Sequence, residues 1–273
     1  IFRNRARHEG ARCPCGKNGV WMATMKLKAV ILAAGEGTRL RPLTNDLPKC
    51  LVPVAGAPLL SRMMEPLADV GVEEVVVVTG FLAEKVEAFV KEAAPLPART
   101  VYNPRYNTAN NFYSLLVARE ALGPGPYLKL DGDVIFEPEV MRRVVEGEGG
   151  LRLGVDLREE LGAEEMKVRL HPEKESHAGR PSRVDELSKQ IDPAAAHGES
   201  MGIEFITAES NPLVFGELEK MDAEGLHDEY YEFAYNRLAQ KGHDVRAIDI
   251  SGLRSTEIDD MEDLQRAEAL FKS

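Results

Sequence analysis

Two glycines and two basic side chains follow a short apolar segment near the start of the chain. Residues 28–31 have the composition of a buried strand, and Gly35 and Gly37 come shortly after it. Because glycine has no Cβ atom, a backbone with this spacing can turn sharply and present its N–H groups to an anion. Arg39 and Lys49 add fixed positive charge close by. A strand that ends in such a loop predicts a phosphate cradle, and therefore a nucleotide ligand.

Neither of two familiar phosphate loops accounts for this segment. The dinucleotide fingerprint requires a third glycine where Leu40 stands, and the P-loop requires a Gly-Lys-Ser/Thr sequence that is missing here. The alternative without a ligand is a surface turn, rich in glycine and proline, between a strand and a helix.

The segment resembles the signature of the nucleotidyltransferases that activate sugar phosphates and choline phosphate. In that family, L-A-A-G-x-G-T-R-L-x-P-x-T is followed after a short gap by P-K-x-L-x-P-V. The chain has the first part at residues 32–44 and the second at residues 48–54. The resemblance covers most of residues 26–270 and is weaker after Leu151. It implies that the nucleotide is bound by Leu32, Ala33, Ala34, Gly35, Gly37, Thr38, Arg39 and Lys49.

The resemblance also implies roles for three basic residues. Lys49 resembles the family lysine that contacts the phosphates at the reacting centre, and Arg39 resembles the arginine that holds the β- and γ-phosphates. Lys189 aligns loosely with a second lysine that contacts the phosphate of the acceptor. We therefore expect Arg39, Lys49 and Lys189 to be catalytic, with solvated surface charges as the alternative.

Two aspartates that are far apart in the sequence could hold a divalent cation. Nucleotidyl transfer brings a phosphate nucleophile to the α-phosphorus of a triphosphate, so the site must neutralise charge and hold the line of attack. The resemblance implies that Asp133 and Asp259 bind Mg²⁺ against the α-phosphate, and Asp131 is expected to contact the nucleotide. Taken singly, Asp133 could instead be a turn residue that caps a helix, and Asp259 a helix N-cap.

The segment at residues 107–115 bears on the identity of the base. Many sugar-phosphate uridylyl- and thymidylyltransferases have Gly-Thr-Ala or Gly-Leu-Ala here, whereas this chain has Asn-Asn-x-Tyr-Ser-Leu. That sequence resembles the cytidylyltransferase branch, whose members use phosphocholine or inositol 1-phosphate. Asparagine can both donate and accept hydrogen bonds, as the cytosine edge requires. We therefore expect CTP, bound by Asn110, Asn111 and Ser114, although Asn110 could also be a helix N-cap.

Few aromatic residues are available to bind a quaternary ammonium group by cation–π contacts. The single tryptophan is Trp21, and residues 254–256 are Arg-Ser-Thr where relatives often have tryptophan. Tyr230, Tyr231, Phe233 and Tyr235 could supply rings, although Tyr231 and Tyr235 share a helix face, as core residues do. Phosphocholine is the first expectation for the acceptor. Phosphoethanolamine, a phosphonate, inositol phosphate and a sugar 1-phosphate are alternatives.

Two other functions are compatible with the sequence. A sugar-1-phosphate nucleotidyltransferase that uses UTP, dTTP or GTP would keep the same catalytic residues in a different pocket. A catalytically silent regulatory protein that only binds a nucleotide would usually lack the lysine or the metal-binding acids, and this chain has them.

Strands and helices alternate along the first half of the chain. Strands are predicted at 28–31, 74–80, 99–102 and 127–130, and helices at 58–70, 83–92 and 110–122. This order predicts an α/β fold, a Rossmann-like open, mostly parallel sheet with helices on both faces. Ligands bind such sheets at the carboxyl ends of the strands, where the Gly35 loop and Asp133 are expected.

The second half is predicted to be richer in strands. Strands are expected near 155 and at 166–170, 183–187, 200–206 and 245–250, with an exposed loop at 171–182 and helices at 212–221, 229–240 and 259–272. We predict one domain over residues 26–273. Within it, residues 26–150 would bind the nucleotide and residues 151–273 would bind the acceptor.

Composition limits the class of protein. The net charge of −11 argues against non-specific binding to nucleic acid. No apolar segment approaches the roughly 20 residues of a membrane span. Cys13, Cys15 and Cys50 do not form a disulfide framework, so a reducing cytoplasm is expected. The oligomeric state is left open.

Residues 1–25 differ from the rest of the chain. They are basic and lack apolar periodicity, so we predict a disordered leader or an upstream extension. Cys13 and Cys15 with His8 could suggest a metal, but their spacing does not fit a zinc site.

Overall fold

The computed structural model describes residues 26–172 and 182–272. The predicted leader with its cysteines, and most of the predicted loop at 171–182, lie outside the described residues. The strands are β1 Lys28–Ala33, β2 Pro53–Val54, β3 Ala57–Pro58, β4 Glu74–Thr79, β5 Ala98–Tyr102, β6 Tyr127–Asp131, β7 Val134–Phe136, β8 Leu151–Leu157, β9 Lys167–Leu170, β10 Ser182–Ser188, β11 Gly198–Ile206, β12 Val245–Asp249 and β13 Ser255–Glu257. The α-helices are α1 Leu59–Met64, α2 Ala83–Ala93, α3 Asn111–Val117, α4 Arg119–Leu122, α5 Pro138–Glu146, α6 Asn211–Ala223, α7 Glu232–Gln240 and α8 Met261–Phe271.

One nine-stranded sheet runs through both predicted halves of the chain, in the order β5-β4-β1-β6-β11-β8-β12-β10-β9. Strands β5, β4, β1 and β6 are parallel neighbours, and β12 is parallel to β8. Strand β11 is antiparallel to β6 and β8, and β10 is antiparallel to β12 and β9. Only β11 and β10 therefore oppose the common strand direction in the described part of the chain. This confirms the prediction of a mostly parallel sheet.

Helices cover both faces of the sheet, because the side chains of each strand alternate between two apolar cores. Ile31 of β1 packs into a core that also contains residues of α1, α2, α5 and α8. Val30 and Leu32 pack into the other core, with residues of α3, α4, α6 and α7. Strands buried on both faces read as continuous apolar segments, as β4 does at residues 75–78.

Two predicted helices are shorter than the periodicity indicated. The predicted helix at 58–70 is α-helical only in α1 and continues as a 3₁₀ helix over Glu65–Val70. Pro66 lies in the first turn of that segment, and its ring removes the N–H that an uninterrupted α-helix would use. The predicted helix at 110–122 is divided into α3 and α4 at Ala118. This residue is the C-cap of α3 and the N-cap of α4.

The elements that the sequence patterns did not indicate include α5, β7 and β13. The two short strands pair antiparallel, with Glu257 opposite Val134 and Ser255 opposite Phe136. The Ile258 N–H then donates a hydrogen bond to the Asp133 carbonyl oxygen at 2.9 Å. This pairing brings the segment before α8 to the carboxyl end of β6.

The start of α8 is fixed by a capping box. The Asp260 side chain accepts hydrogen bonds from the backbone N–H groups of Glu262 and Asp263, at 2.8 and 3.0 Å. In return, Asp263 accepts from the Asp259 N–H at 2.9 Å and from the Asp260 N–H at 3.2 Å. The N-cap is therefore Asp260, so the side chain of Asp259 is left for other contacts.

Candidate active site

The loop after β1 turns through a left-handed glycine. Gly37 has a φ of 59° and a ψ of 43°, which a residue with a Cβ atom adopts only with strain. Its carbonyl oxygen accepts a hydrogen bond from the Thr44 hydroxyl at 2.7 Å. A Cβ atom at position 37 would lie 2.9 Å from the Cβ atom of Lys49. The glycine therefore allows the loop to fold back against the base of the Lys49 side chain.

Two alanine substitutions should separate the structural glycine from the open one. We expect Gly37→Ala to lower the free energy of unfolding by about 1–2 kcal/mol, because of its left-handed backbone. A Cβ atom at Gly35 would meet no atom within 4 Å. Gly35→Ala should therefore keep the stability within about 0.5 kcal/mol of wild type, yet weaken binding of the predicted nucleotide by placing a methyl group in the predicted phosphate cradle. Chemical denaturation measures the stability of both variants, and calorimetric titration measures their nucleotide binding. Equal losses of stability in the two variants would contradict the assignment of Gly37 as the structural glycine.

Lys49 lies between two aspartates that are far apart in the sequence. Its Nζ atom is 2.8 Å from Oδ2 of Asp133 and 2.8 Å from Oδ1 of Asp259. The other carboxylate oxygen of Asp259 is 2.8 Å from Nη2 of Arg39. The Lys49 side chain is 14% exposed, whereas that of Arg39 is 63% exposed. The structure thus brings four of the predicted site residues into one charged cluster.

The charges in this cluster stabilise one another. Burial alone would lower the pKa of the Lys49 ammonium, but the carboxylates of Asp133 and Asp259 outweigh it and raise this pKa above its ordinary value. Burial alone would raise the pKa of Asp259, but Lys49 and then Arg39 hold it below its ordinary value. Lys49 is therefore protonated and Asp259 ionised at neutral pH.

A cavity of about 800 Å³ opens at the carboxyl ends of the central strands. The predicted site residues that line it are Leu32, Ala34, Gly35, Arg39, Asn110, Asn111, Ser114, Asp131, Asp133, Lys189 and Asp259. The predicted residues outside its lining are Ala33, Gly37, Thr38 and Lys49. Because side chains alternate along β1, Ala33 packs into the core on the face opposite Leu32.

Asn110 and Asn111 use their side chains differently at the start of α3. The Asn110 side-chain oxygen accepts a hydrogen bond from the Asn111 backbone N–H at 2.8 Å, so Asn110 is an N-cap. Its amide group donates to the Asp228 carbonyl oxygen at 3.0 Å. The Asn111 side-chain oxygen accepts from the Tyr231 N–H at 3.0 Å. Among the residues that the structure describes, the amide N–H₂ of Asn111 has no partner and can donate to a ligand.

Ser114 and Asp131 are held by buried partners. The Ser114 hydroxyl oxygen accepts a hydrogen bond from the Asn103 side chain at 2.9 Å. The Tyr231 hydroxyl donates to Oδ2 of Asp131 at 2.6 Å, and Nζ of Lys129 is 2.9 Å from the same oxygen. Burial raises the pKa of Asp131, although Lys129 opposes the shift. These contacts fix the orientation of the Asp131 carboxyl group at the end of β6.

Lys189 lines the cavity and packs against an aromatic ring. Its Nζ atom is 4.7 Å from the centroid of the Tyr230 ring, and it has no ion pair within 26–172 and 182–272. Tyr231 and Tyr235 are fully buried with ring centroids 5.2 Å apart. These two tyrosines are core residues, as their shared helix face indicated, and Tyr230 alone of the three lines the cavity.

Two pairs of charged residues near the cavity were missed by sequence reasoning. Lys129 is fully buried in β6, 2.9 Å from Asp131 and 3.1 Å from Glu204 of β11. Arg158, just after β8, is paired with Glu199 of β11, and both line the cavity. The pairs join strands that are neighbours only in the folded sheet, so no local motif reveals them. A lysine inside an otherwise apolar strand was the one available signal, because lysine is rarely buried without a partner.

The carboxylates of Asp133 and Asp259 are suitable ligands for a magnesium ion. Mg²⁺ prefers oxygen ligands and is usually bound by one or two carboxylates together with substrate phosphates. The two side chains already contact one cation, Nζ of Lys49, so their oxygens face a common point. No group of three or more His, Cys, Asp or Glu side chains forms a metal site in the described ranges. A metal bound here would therefore need further ligands from the substrate.

Comparisons with known proteins agree with this geometry. Residues 29–150 match the family model of the MobA-like NTP transferase domain. The CMP-5'-(3-aminopropyl)phosphonate synthase of Streptomyces rubellomurinus is 34% identical over 90% of this chain and 39% of its own length. The choline-phosphate cytidylyltransferase of Streptococcus pneumoniae is 43% identical over 35% of this chain and 41% of its own length. The chain thus spans about two fifths of the length of these relatives.

A solved structure extends the similarity over nearly the whole fold. The CTP:phosphocholine cytidylyltransferase of Streptococcus pneumoniae superposes with a TM-score of 0.71 at 26% identity, covering 91% of this chain and 100% of that one. In the described part of this chain, no helix is both long and apolar enough to cross a membrane. Residues 29–150 are thus similar in sequence to the MobA-like NTP transferase domain, and the fold as a whole is similar to that of a solved cytidylyltransferase.

Proposed function

We propose that this chain transfers CMP from CTP to a small phosphorylated acceptor such as phosphocholine, with Mg²⁺, and releases pyrophosphate. The observation that carries the proposal is the position of Lys49, 2.8 Å from both Asp133 and Asp259 beside the loop at residues 34–40. That cluster combines fixed positive charge with two carboxylates that can hold a metal, as phosphate chemistry requires. The similarity to named cytidylyltransferases supports it.

The proposed reaction is an in-line displacement at the α-phosphorus. An oxygen of the acceptor's phospho group forms the new P–O bond, the bond to the β-phosphate oxygen breaks, and pyrophosphate leaves with the electron pair. Arg39, which is exposed at the cavity edge, would bind the β- and γ-phosphates. Lys49 would stabilise the charge that develops at the reacting phosphorus, and Lys189 would hold the acceptor. Mg²⁺ bound by Asp133 and Asp259 would supply further charge neutralisation.

The choice of CTP rests on the base end of the cavity. Asn111 lines it with an amide N–H₂ that has no partner among residues 26–172 and 182–272, and a cytosine ring offers its carbonyl oxygen and ring nitrogen as acceptors. Asn110, Ser114 and Asp131 complete the proposed nucleotide contacts.

Residues from both parts of the chain line the cavity. This supports the proposed division into a nucleotide-binding half, residues 26–150, and an acceptor-binding half, residues 151–273. A cytoplasmic location remains part of the proposal, and the buried free thiol of Cys50 is compatible with it.

A pyrophosphate-release assay tests the proposed function. CTP, UTP, dTTP and GTP would each be combined with Mg²⁺ and phosphocholine, phosphoethanolamine, inositol 1-phosphate, glucose 1-phosphate or mannose 1-phosphate. We expect release with CTP alone among the nucleotides. Release with UTP, dTTP or GTP and a sugar phosphate would instead identify a sugar-1-phosphate nucleotidyltransferase. Nucleotide binding without turnover for any acceptor would identify a silent regulatory protein.

A further inference from the structure

The end of the cavity formed by the second half of the chain is acidic. Three basic side chains line it, Arg158, Lys189 and Arg266. The carboxyl groups there outnumber them: Asp156, Glu164, Glu165, Glu199, Glu232, Glu257, Asp259 and Asp263. An acceptor brings a negatively charged phospho group of its own, so an otherwise neutral acceptor would leave this wall with uncompensated negative charge. The wall is therefore suited to an acceptor that also carries a positive charge.

The three basic side chains do not neutralise the wall, and Arg266 is paired with Asp263. Arg158 is shared between three carboxylates, because it contacts Glu199 and lies 3.8 Å from both Asp156 and Glu165. Lys189 pairs with no carboxylate in the described part of the chain. A single guanidinium group is shared among three carboxyl groups, whereas the ammonium of Lys189 is available to the phospho group of an acceptor.

Glu199 and Ser200 are consecutive residues of β11 that both line this wall. The register of β11 against β8 is regular at these two residues and becomes irregular after Ser200. Glu199 is 8% exposed, and burial raises its pKa to about 7 despite Arg158. Ser200 is 3% exposed, and its hydroxyl has no hydrogen-bond partner among the described residues. A buried hydroxyl without a partner, adjacent in sequence to a buried carboxylate, can accept a hydrogen bond from a ligand.

The rings at the cavity do not form a cage for a methylated ammonium. Tyr106 and Tyr230 are the aromatic side chains in the cavity lining. The Tyr230 ring already packs against Lys189, at 4.7 Å. Tyr106 contacts Tyr102 edge to face, with ring centroids 6.5 Å apart. An unmethylated ammonium suits this wall better, since it carries three N–H donors and a quaternary ammonium carries none.

We propose that the acceptor carries an unmethylated ammonium group, bound by Glu199 and Ser200, while Lys189 binds its phospho group. The inference rests on the proposed function and narrows its acceptor class to compounds with both a phospho group and a primary amine. Phosphocholine would then be a poorer acceptor than its unmethylated counterpart. Glu199 and Ser200 would act as specificity-determining residues, with no part in the transfer of the nucleotidyl group.

Three acceptors that share a phosphoethyl unit provide the test: phosphoethanolamine, phosphocholine and ethyl phosphate. With CTP and Mg²⁺, we expect kcat/KM to be highest for phosphoethanolamine. Glu199→Gln should raise the KM for phosphoethanolamine about tenfold, as expected for losing a charged hydrogen bond. The KM for ethyl phosphate and for CTP should be unchanged. Ser200→Ala should act in the same direction more weakly, and Glu87→Gln on the exposed face of α2 should have no effect.

Two results would overturn the inference while leaving the proposed function intact. The first is equal use of ethyl phosphate and phosphoethanolamine by the wild-type protein. The second is the same rise in KM for both acceptors in Glu199→Gln, which would mean that Glu199 only holds Arg158 against the phospho group. If no acceptor is turned over, calorimetry with α,β-methylene-CTP and Mg²⁺ still decides. Preferential binding of phosphoethanolamine, lost in Glu199→Gln, supports the inference, and equal binding of the acceptors refutes it.

Discussion

Replacing Lys49 with methionine is expected to lower kcat for pyrophosphate release by about two to three orders of magnitude. The substitution keeps the length and much of the volume of the side chain but removes the charge that contacts Asp133 and Asp259. A cation fixed beside the reacting phosphorus stabilises the transition state more than the bound substrates, so the loss should fall mainly on kcat. Steady-state kinetics with saturating CTP and acceptor measure it.

The same variant should respond more strongly to magnesium than the wild-type protein does. Without the Lys49 ammonium, the carboxylates of Asp133 and Asp259 face each other with only Arg39 nearby. Added Mg²⁺ should then raise the thermal unfolding midpoint more in Lys49→Met than in wild type. Lys91→Met on the exposed surface of α2 is the matched control and should change neither property. Wild-type kcat in Lys49→Met would remove Lys49 from the mechanism.

Local signals were enough to predict the turn after β1 and the general fold. The spacing of Gly35 and Gly37, followed by Arg39 and Lys49, specifies a turn and its charges within a short segment. The apolar character of β1, β4 and β6 likewise comes from burial on both faces of a parallel sheet, which a single strand already displays. Those features depend on neighbours in sequence, so the sequence alone could predict them.

The assembly of the site depends on contacts that are not local. Asp133 and Asp259 were each predicted as metal ligands, but the element that brings them together is the pair β7 and β13. Strands of three residues are too short to show an alternating pattern, and their pairing joins distant segments. The acidic wall of the cavity was missed for a similar reason, because Glu199 and Arg158 meet only across the sheet.

The isosteric substitution Asp133→Asn is expected to reduce kcat by about three orders of magnitude and to raise the Mg²⁺ concentration needed for activity. An asparagine keeps the shape of the side chain and can still lie beside Lys49, but it removes a carboxylate that could bind the metal. Asp259→Asn should behave similarly, with an added loss of the contact to Arg39. Activity measured over a range of Mg²⁺ concentrations distinguishes a weaker metal site from a general loss of folding.

If the two aspartates hold one metal ion, their effects must not add. Once either carboxylate is lost, the ion is bound poorly and the second substitution removes little more, so the double variant should resemble the single variants. Asp69→Asn, at an exposed position before β4, is the control. It removes one negative charge, as the site substitutions do, but should leave kcat and the Mg²⁺ dependence unaltered. If the losses in kcat of the two single variants instead multiplied in the double variant, Asp133 and Asp259 would act separately. One of the two would then act only by positioning Lys49. That outcome would assign the metal to other ligands while keeping the cluster as an electrostatic site.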